Sequence, residues 1–92
     1  MLLEIVTPEA TLIQSEVDSV TVPGINGEFQ MLNNHAPIIS LLVKGDVKFK
    51  GAAVSIIEGF QDRFVQQDGE YKLAINSGTI EMKDNKVIVL AD

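Results

Sequence analysis

The sequence predicts an all-β fold: a flattened β-sandwich or barrel of about nine to ten short strands, with residues 1–92 forming a single domain. Three observations lead there. Short runs alternate between apolar and polar residues, as in Tyr71, Leu73 and Ile75 against Lys72, Ala74 and Asn76; a period of two marks a half-buried strand. Turn signals such as Pro23-Gly24, Asn26-Gly27, Lys44-Gly45-Asp46, Asp68-Gly69 and Asp84-Asn85 recur between those runs, where proline, glycine and asparagine supply turn geometry. Hydrophobic residues make up 46% of the chain but aromatics only 5%, so the core must be built from Val, Ile, Leu and Met. No repeat, low-complexity stretch or linker interrupts it.

Taken in order, Leu2 to Val6 is a first strand, ended by Thr7-Pro8, since proline cannot donate to a ladder. Thr11 to Gln14 is a short second strand and Glu16 to Val22 a third, with Val20 and Val22 on one face. Pro23-Gly24 stops that run. Asn26-Gly27 is a strong hairpin signal. Glu28 to Leu32 follows, with Phe29 and Met31 facing one way and Glu28 and Gln30 the other. Asn33-Asn34-His35 closes the unit, and Pro37 biases Ala36 toward an extended conformation. Ile38 to Val43 is an almost continuous apolar run, which fits a buried strand or a short helical turn. Val47 and Phe49 then point inward between Lys48 and Lys50.

Residues 51–67 follow a different rhythm. Ala53, Ile56, Ile57, Phe60 and Phe64 recur at the spacing of one helical stripe, which predicts an amphipathic helix over about 52–66. Gly59 within the stripe is unfavourable to a helix. The competing arrangement is a hairpin, Ala53–Ile57 against Phe60–Gln66, turning at Glu58-Gly59. Beyond it, Asn76-Ser77-Gly78 marks a bend, Ile80 and Met82 face inward, and Lys83 to Lys86 forms a polar hairpin turn. Val87 to Leu90 is apolar on both faces, as in a strand sandwiched within the fold.

The formal charge is −6, and the seven basic residues are scattered. No clustered Lys and Arg surface is available for phosphates, which argues against nucleic acid as a partner. The apolar runs are too short to span a bilayer, and the N-terminal stretch has no basic lead of the kind a signal peptide carries. Direct membrane insertion is not expected. The chain has no cysteine, so neither a disulfide nor a thiolate metal site is expected.

Catalysis finds little support. His35 is the only histidine, sits beside two asparagines, and has no serine in a nucleophile-elbow setting to serve. One imidazole without ligand spacing does not make a metal centre. No glycine-rich phosphate loop is present, so no cofactor is expected. What remains is a binding or structural module whose loops carry the contacts, the richest being Pro23–Gly27 and Leu32–Pro37. A stand-alone sandwich that binds a small ligand or protein partner is the alternative, but four of the five aromatic residues fall on inward phases or on the stripe of 51–67.

The stretches VDSVTVPGINGEF, NNHAPI, Lys44-Gly45-Asp46 and SGTIEMKDNKVIVLAD resemble, in order and spacing, the epsilon subunit of the rotary (F-type) ATP synthase. Gln30 stands where that family often has glycine, and Asn33 where it often has proline. Residues 51–67 read as an insertion relative to the common bacterial pattern. The resemblance implies the family's N-terminal β-sandwich domain, in a short form lacking the C-terminal helical domain. It further implies a non-catalytic rotor subunit of the central stalk. Such a subunit links the gamma subunit to the c-ring and couples proton flow to ATP synthesis at the cytoplasmic face of the bacterial inner membrane. Carried onto this chain, the rotor contacts expected are Glu28, Gln30, Asn34 and His35, with the gamma subunit and the c-ring loops as partners.

Overall fold

Alternation in the sequence becomes alternation in burial. The computed structural model describes residues 1–92 and forms ten strands: β1 (Leu2–Val6), β2 (Thr11–Glu16), β3 (Ser19–Gly24), β4 (Gly27–Leu32), β5 (Ile38–Leu42), β6 (Gly45–Lys50), β7 (Val65–Gln67), β8 (Glu70–Ile75), β9 (Gly78–Lys83) and β10 (Lys86–Ala91). On β6, Val47 and Phe49 are buried while Lys50 is exposed. β3 buries Val20 and Val22, β9 buries Ile80 and Met82, and β10 buries Val87 and Val89. These positions share one side of each pleat, so curling the sheet over puts them all in one core.

The sheet runs β2-β1-β10-β9-β5-β3-β6-β8-β7, and β4 pairs with β3 off this path. β1 and β10 are parallel, with Leu3 beside Val87 and Ile5 beside Val89; the remaining pairs are antiparallel. The two halves meet where Gly24 of β3 pairs with Leu42 of β5, and there the sheet curls over. A register shift after Ile5 leaves Leu12 without a cross-strand partner. This bulge lets consecutive residues Leu12 and Ile13 both be fully buried.

The predicted third strand begins later and ends later than the pattern suggested. Pro23 and Gly24 stay in β3 opposite Glu28 and Gly27. The turn itself is Ile25-Asn26, with Gly27 at φ 118°. The Asp84-Asn85 turn is a two-residue hairpin with both residues at positive φ, 52° and 60°, the geometry whose twist matches the flanking strands.

The helix expected over 52–66 does not form, and neither does the competing hairpin. The only helical element there is one 3₁₀ turn, Gln61–Arg63, and Val65–Gln67 pairs with β8 instead. The segment is recruited by distant partners. Ile56 forms a β-bridge with Ile13, the Ile57 amide donates to the Leu12 carbonyl at 3.1 Å, and the Ser55 amide donates to Ser15 Oγ at 2.9 Å. Gly59 takes φ 96°, outside the helical range. Phe64 packs edge-on against Phe49, ring centres 5.7 Å apart, while Tyr71 stacks on Phe49 at 5.4 Å. The apolar residues that mimic a helical stripe therefore fasten a strap over the outer edge of β2.

Gly78 shows how tightly β9 and β10 approach. A Cβ built there would lie 2.3 Å from the Leu90 carbonyl oxygen. The glycine is required by that contact, since its φ is not positive. Gly78→Ala is therefore expected to destabilise the domain by about 1–3 kcal/mol, as overpacking does. Urea unfolding of the variant measures this, and an unchanged midpoint would mean the two strands part freely.

Candidate functional site

The four residues predicted as contacts lie along one strand and its exit loop. β4 has a single neighbour, β3, from Ser19 opposite Leu32 to Gly24 opposite Gly27. Glu28 and Gln30 project from the same exposed face of β4. Asn34 and His35 lie past its far end, so the set forms a linear rim. Glu28 and Leu32 alone are about 13 Å apart along an extended strand.

Glu28 is not free. Its Oε2 accepts from Lys48 Nζ at 3.2 Å, reaching over β3 to β6. Lys48 stands directly opposite Lys72 of β8, and like charges in that position repel. Glu28 therefore offsets a cross-strand repulsion, an intramolecular role that spacing in the sequence does not reveal. Gln30 Nε2 donates to Thr21 Oγ1 at 3.4 Å, from β4 to its neighbour β3.

The loop 33–37 is held from two sides. Asn34 has φ 63°, a region asparagine tolerates better than most residues, and its amide donates to Asn85 Oδ1 at 2.7 Å. Asn33 Oδ1 accepts from the Met1 amino group at 2.5 Å; that group also donates to the Val17 carbonyl and pairs with Glu16 at 3.2 Å. The polar side chain at 33 thus anchors the first residue of the chain. His35 is exposed, its amide donates to the Leu32 carbonyl at 3.1 Å, and its Nδ1 lies 2.7 Å from the Ala36 carbonyl. A carbonyl only accepts, so this contact is a hydrogen bond in the tautomer that carries its proton on Nδ1.

A second surface escaped the sequence reading. The run from Ile38 forms the strand β5, Ile38–Leu42, rather than a helical turn, but it is not buried on both faces: Ile39 is 76% exposed and Leu41 57%. Across the sheet Leu41 pairs with Thr79, Thr79 with Leu90, and Leu90 with Val6. Leu90 and Ile25 are exposed as well. Leu41, Thr79, Leu90, Val6 and Ile25 line an open groove of about 640 Å³, together with Asp92, whose carboxylate accepts from Ser77 Oγ. Apolar residues on both faces of β5 and β10 were the available signal, because a sheet face turned to solvent rarely carries a contiguous apolar patch without a cover.

No group of three or more His, Cys, Asp or Glu gathers in the fold. No helix is long and apolar enough to cross a membrane.

The profile of the family described as the ATP synthase delta/epsilon chain β-sandwich domain matches residues 1–62. The chain is 35% identical over 91 residues to the ATP synthase epsilon chain of Desulforamulus reducens, covering 98% of this chain and 57% of that one. It is 37% identical over 92 residues to that of Maridesulfovibrio salexigens, covering 100% and 54%. To that of Campylobacter concisus it is 39% identical over 90 residues, covering 98% and 59%. The chain thus spans a little over half the length of these curated relatives. Among solved structures, it superposes on a chain of the mitochondrial ATP synthase central stalk/c-ring of Tetrahymena thermophila with TM-score 0.70 and 13% identity, covering 99% of this chain and 62% of that one. A chain of the mitochondrial ATP synthase of Euglena gracilis gives TM-score 0.73 and 17% identity, covering 99% and 49%. At such identities the likeness is one of fold.

Proposed function

Because the chain belongs to the β-sandwich family of ATP synthase delta and epsilon chains, we propose that it is a non-catalytic rotor subunit. On this reading its 92 residues act as a single unit of the central stalk, linking the gamma subunit to the c-ring. They pass rotation driven by proton flow toward the catalytic subunits that make ATP. The work is done at the cytoplasmic face of the bacterial inner membrane, in keeping with the bacterial epsilon chains it resembles.

The observation that carries the reading is family membership together with a curled, aliphatic sandwich. Twenty buried hydrophobic residues form one core cluster, and close-packed interiors deform little under load. A stalk element has to transmit torque, and stiffness is the property that torque requires. Two surfaces divide the contacts. The apolar face of Ile39, Leu41, Leu90 and Ile25 suits a long-lived protein interface, and we assign it to the gamma subunit. The polar rim of Glu28, Gln30, Asn34 and His35 suits the polar loops of a ring that meets the stalk at the membrane surface.

Reconstitution with cognate gamma subunit and c-ring tests both assignments. Glu28→Lys is expected to weaken coupling in the assembled enzyme while the isolated domain stays folded, since an exposed ion pair contributes about 1 kcal/mol or less. Lys48→Ala separates the two roles of Glu28. If coupling survives loss of Lys48 but not reversal of Glu28, the carboxylate acts on the ring directly. If both variants fail alike, Glu28 serves by holding Lys48, and the ring contact at that position is lost from the proposal. No affinity for gamma at all would remove the rotor reading.

A further inference from the structure

β4 is the longest uncovered strand edge in the molecule. The edge of β2 is closed by the strap through Ile56, Ile57 and Ser55, and the exposed edge strand β7 has only three residues. β4 has six, all in unbroken register with β3. Outside that ladder, its only backbone hydrogen bond is the one the Leu32 carbonyl accepts from the His35 amide. An edge of this kind presents a row of unpaired donors and acceptors to any other strand.

Edges are normally guarded by lysine, proline or a bulge. β4, Gly-Glu-Phe-Gln-Met-Leu, has none of these. Its one charge is Glu28, and that carboxylate is drawn back over β3 to Lys48, away from the open edge. The strand is also compatible with itself. A two-fold axis perpendicular to the sheet keeps like faces on the same side, so opposed residue numbers must share parity. Centred on Gln30, such an axis sets Gln30 against Gln30, Glu28 against Leu32 and Phe29 against Met31 of the second copy. No like charges are opposed, since the two Glu28 side chains are offset by about 13 Å along the strands. The outer-face amides meet as a Gln–Gln pair, and the inner face continues the core with an aromatic–thioether contact.

We propose that the free chain pairs with a second copy of itself through β4, antiparallel, with Gln30 at the two-fold axis. The dimer rests on the strand edge alone. Glu28 and Gln30 also belong to the rim assigned to the c-ring, so on that earlier reading dimerisation and ring docking exclude each other.

Analytical ultracentrifugation of the isolated chain from micromolar to millimolar concentration is expected to show a reversible monomer–dimer equilibrium. Gln30→Lys brings two ammonium groups face to face and should weaken the dimer by about fivefold or more. Its thermal unfolding should match the parent, because Gln30 is exposed. Gln30→Cys introduces the only thiol in the chain. Directly opposed positions approach disulfide distance, so oxidation should link this variant far faster than Asp68→Cys, placed at the β7–β8 turn. A chain that stays monomeric throughout, a dimer indifferent to Gln30→Lys, or equal cross-linking of the two cysteine variants would each overturn the proposal. A monomer that still binds gamma would overturn it while leaving the rotor function standing.

Discussion

Leu41→Asp is expected to lower the affinity of this chain for a cognate gamma subunit by about thirtyfold, or roughly 2 kcal/mol, the size of a central interface residue. Leu41 stands at the β5 end of the row Leu41–Thr79–Leu90–Val6, with the Ile25 amide donating to its carbonyl at 3.0 Å on the other side, and both residues line the groove. A carboxylate there would be desolvated against apolar neighbours on both sides of a bound complex, with no basic residue lining the groove. The isolated domain should hardly notice, since the position is more than half exposed and exposed substitutions typically change stability by less than about 0.5 kcal/mol. Isothermal titration against purified gamma subunit measures the first effect and thermal unfolding the second. Unchanged affinity would take the apolar face away from gamma and return it to another partner.

Phe49→Ala is the substitution with the largest expected effect on the fold. Phe49 is wholly buried on β6 and is the shared member of two ring contacts, with Tyr71 stacked at 5.4 Å and Phe64 edge-on at 5.7 Å. Truncation should cost about 3–5 kcal/mol, a large part of the total stability of a small domain. The melting temperature should fall by roughly 15–30 °C. The loss should also be uneven. Phe64 is the buried anchor of the strap, so without Phe49 the segment 51–64 should open ahead of the sheet. Hydrogen exchange at the Ile57 amide, which donates to the Leu12 carbonyl, reads that local opening. If Ile57 exchanged no faster than the amides of β10, the strap would owe its place to the Ile13–Ile56 bridge and not to the aromatic cluster.

Much of the strand plan was legible because strand periodicity is local. Val47 and Phe49, Leu73 and Ile75, and Ile80 and Met82 point inward as alternation predicts. Asp84-Asn85 turns where its composition says it should. The segment 51–67 failed for the opposite reason. Its apolar residues fit a helix stripe, but Ile56 pairs with Ile13, far away in the chain, and no local window contains that partner. The candidate rim was half legible. Glu28 and Gln30 were placed on one exposed face, but the ion pair that holds Glu28 crosses a strand to reach Lys48. Asn33 looked like a mere replacement for proline until the Met1 amino group was found on its side chain.

By itself the sequence determined the fold class, the inward and outward phase of most strands, an aliphatic core and the family to which the chain belongs. These follow from composition, motif order and the two-residue repeat of a pleated strand, all of which are written along the chain. Only the tertiary structure decided which strand ends up as an open edge, that both faces of β5 are apolar yet one stays uncovered, and that Glu28 already has a partner. Those features depend on which strands pair and where the sheet curls over at Gly24 and Leu42. Contacts between residues so distant in the chain leave no local pattern from which they can be read.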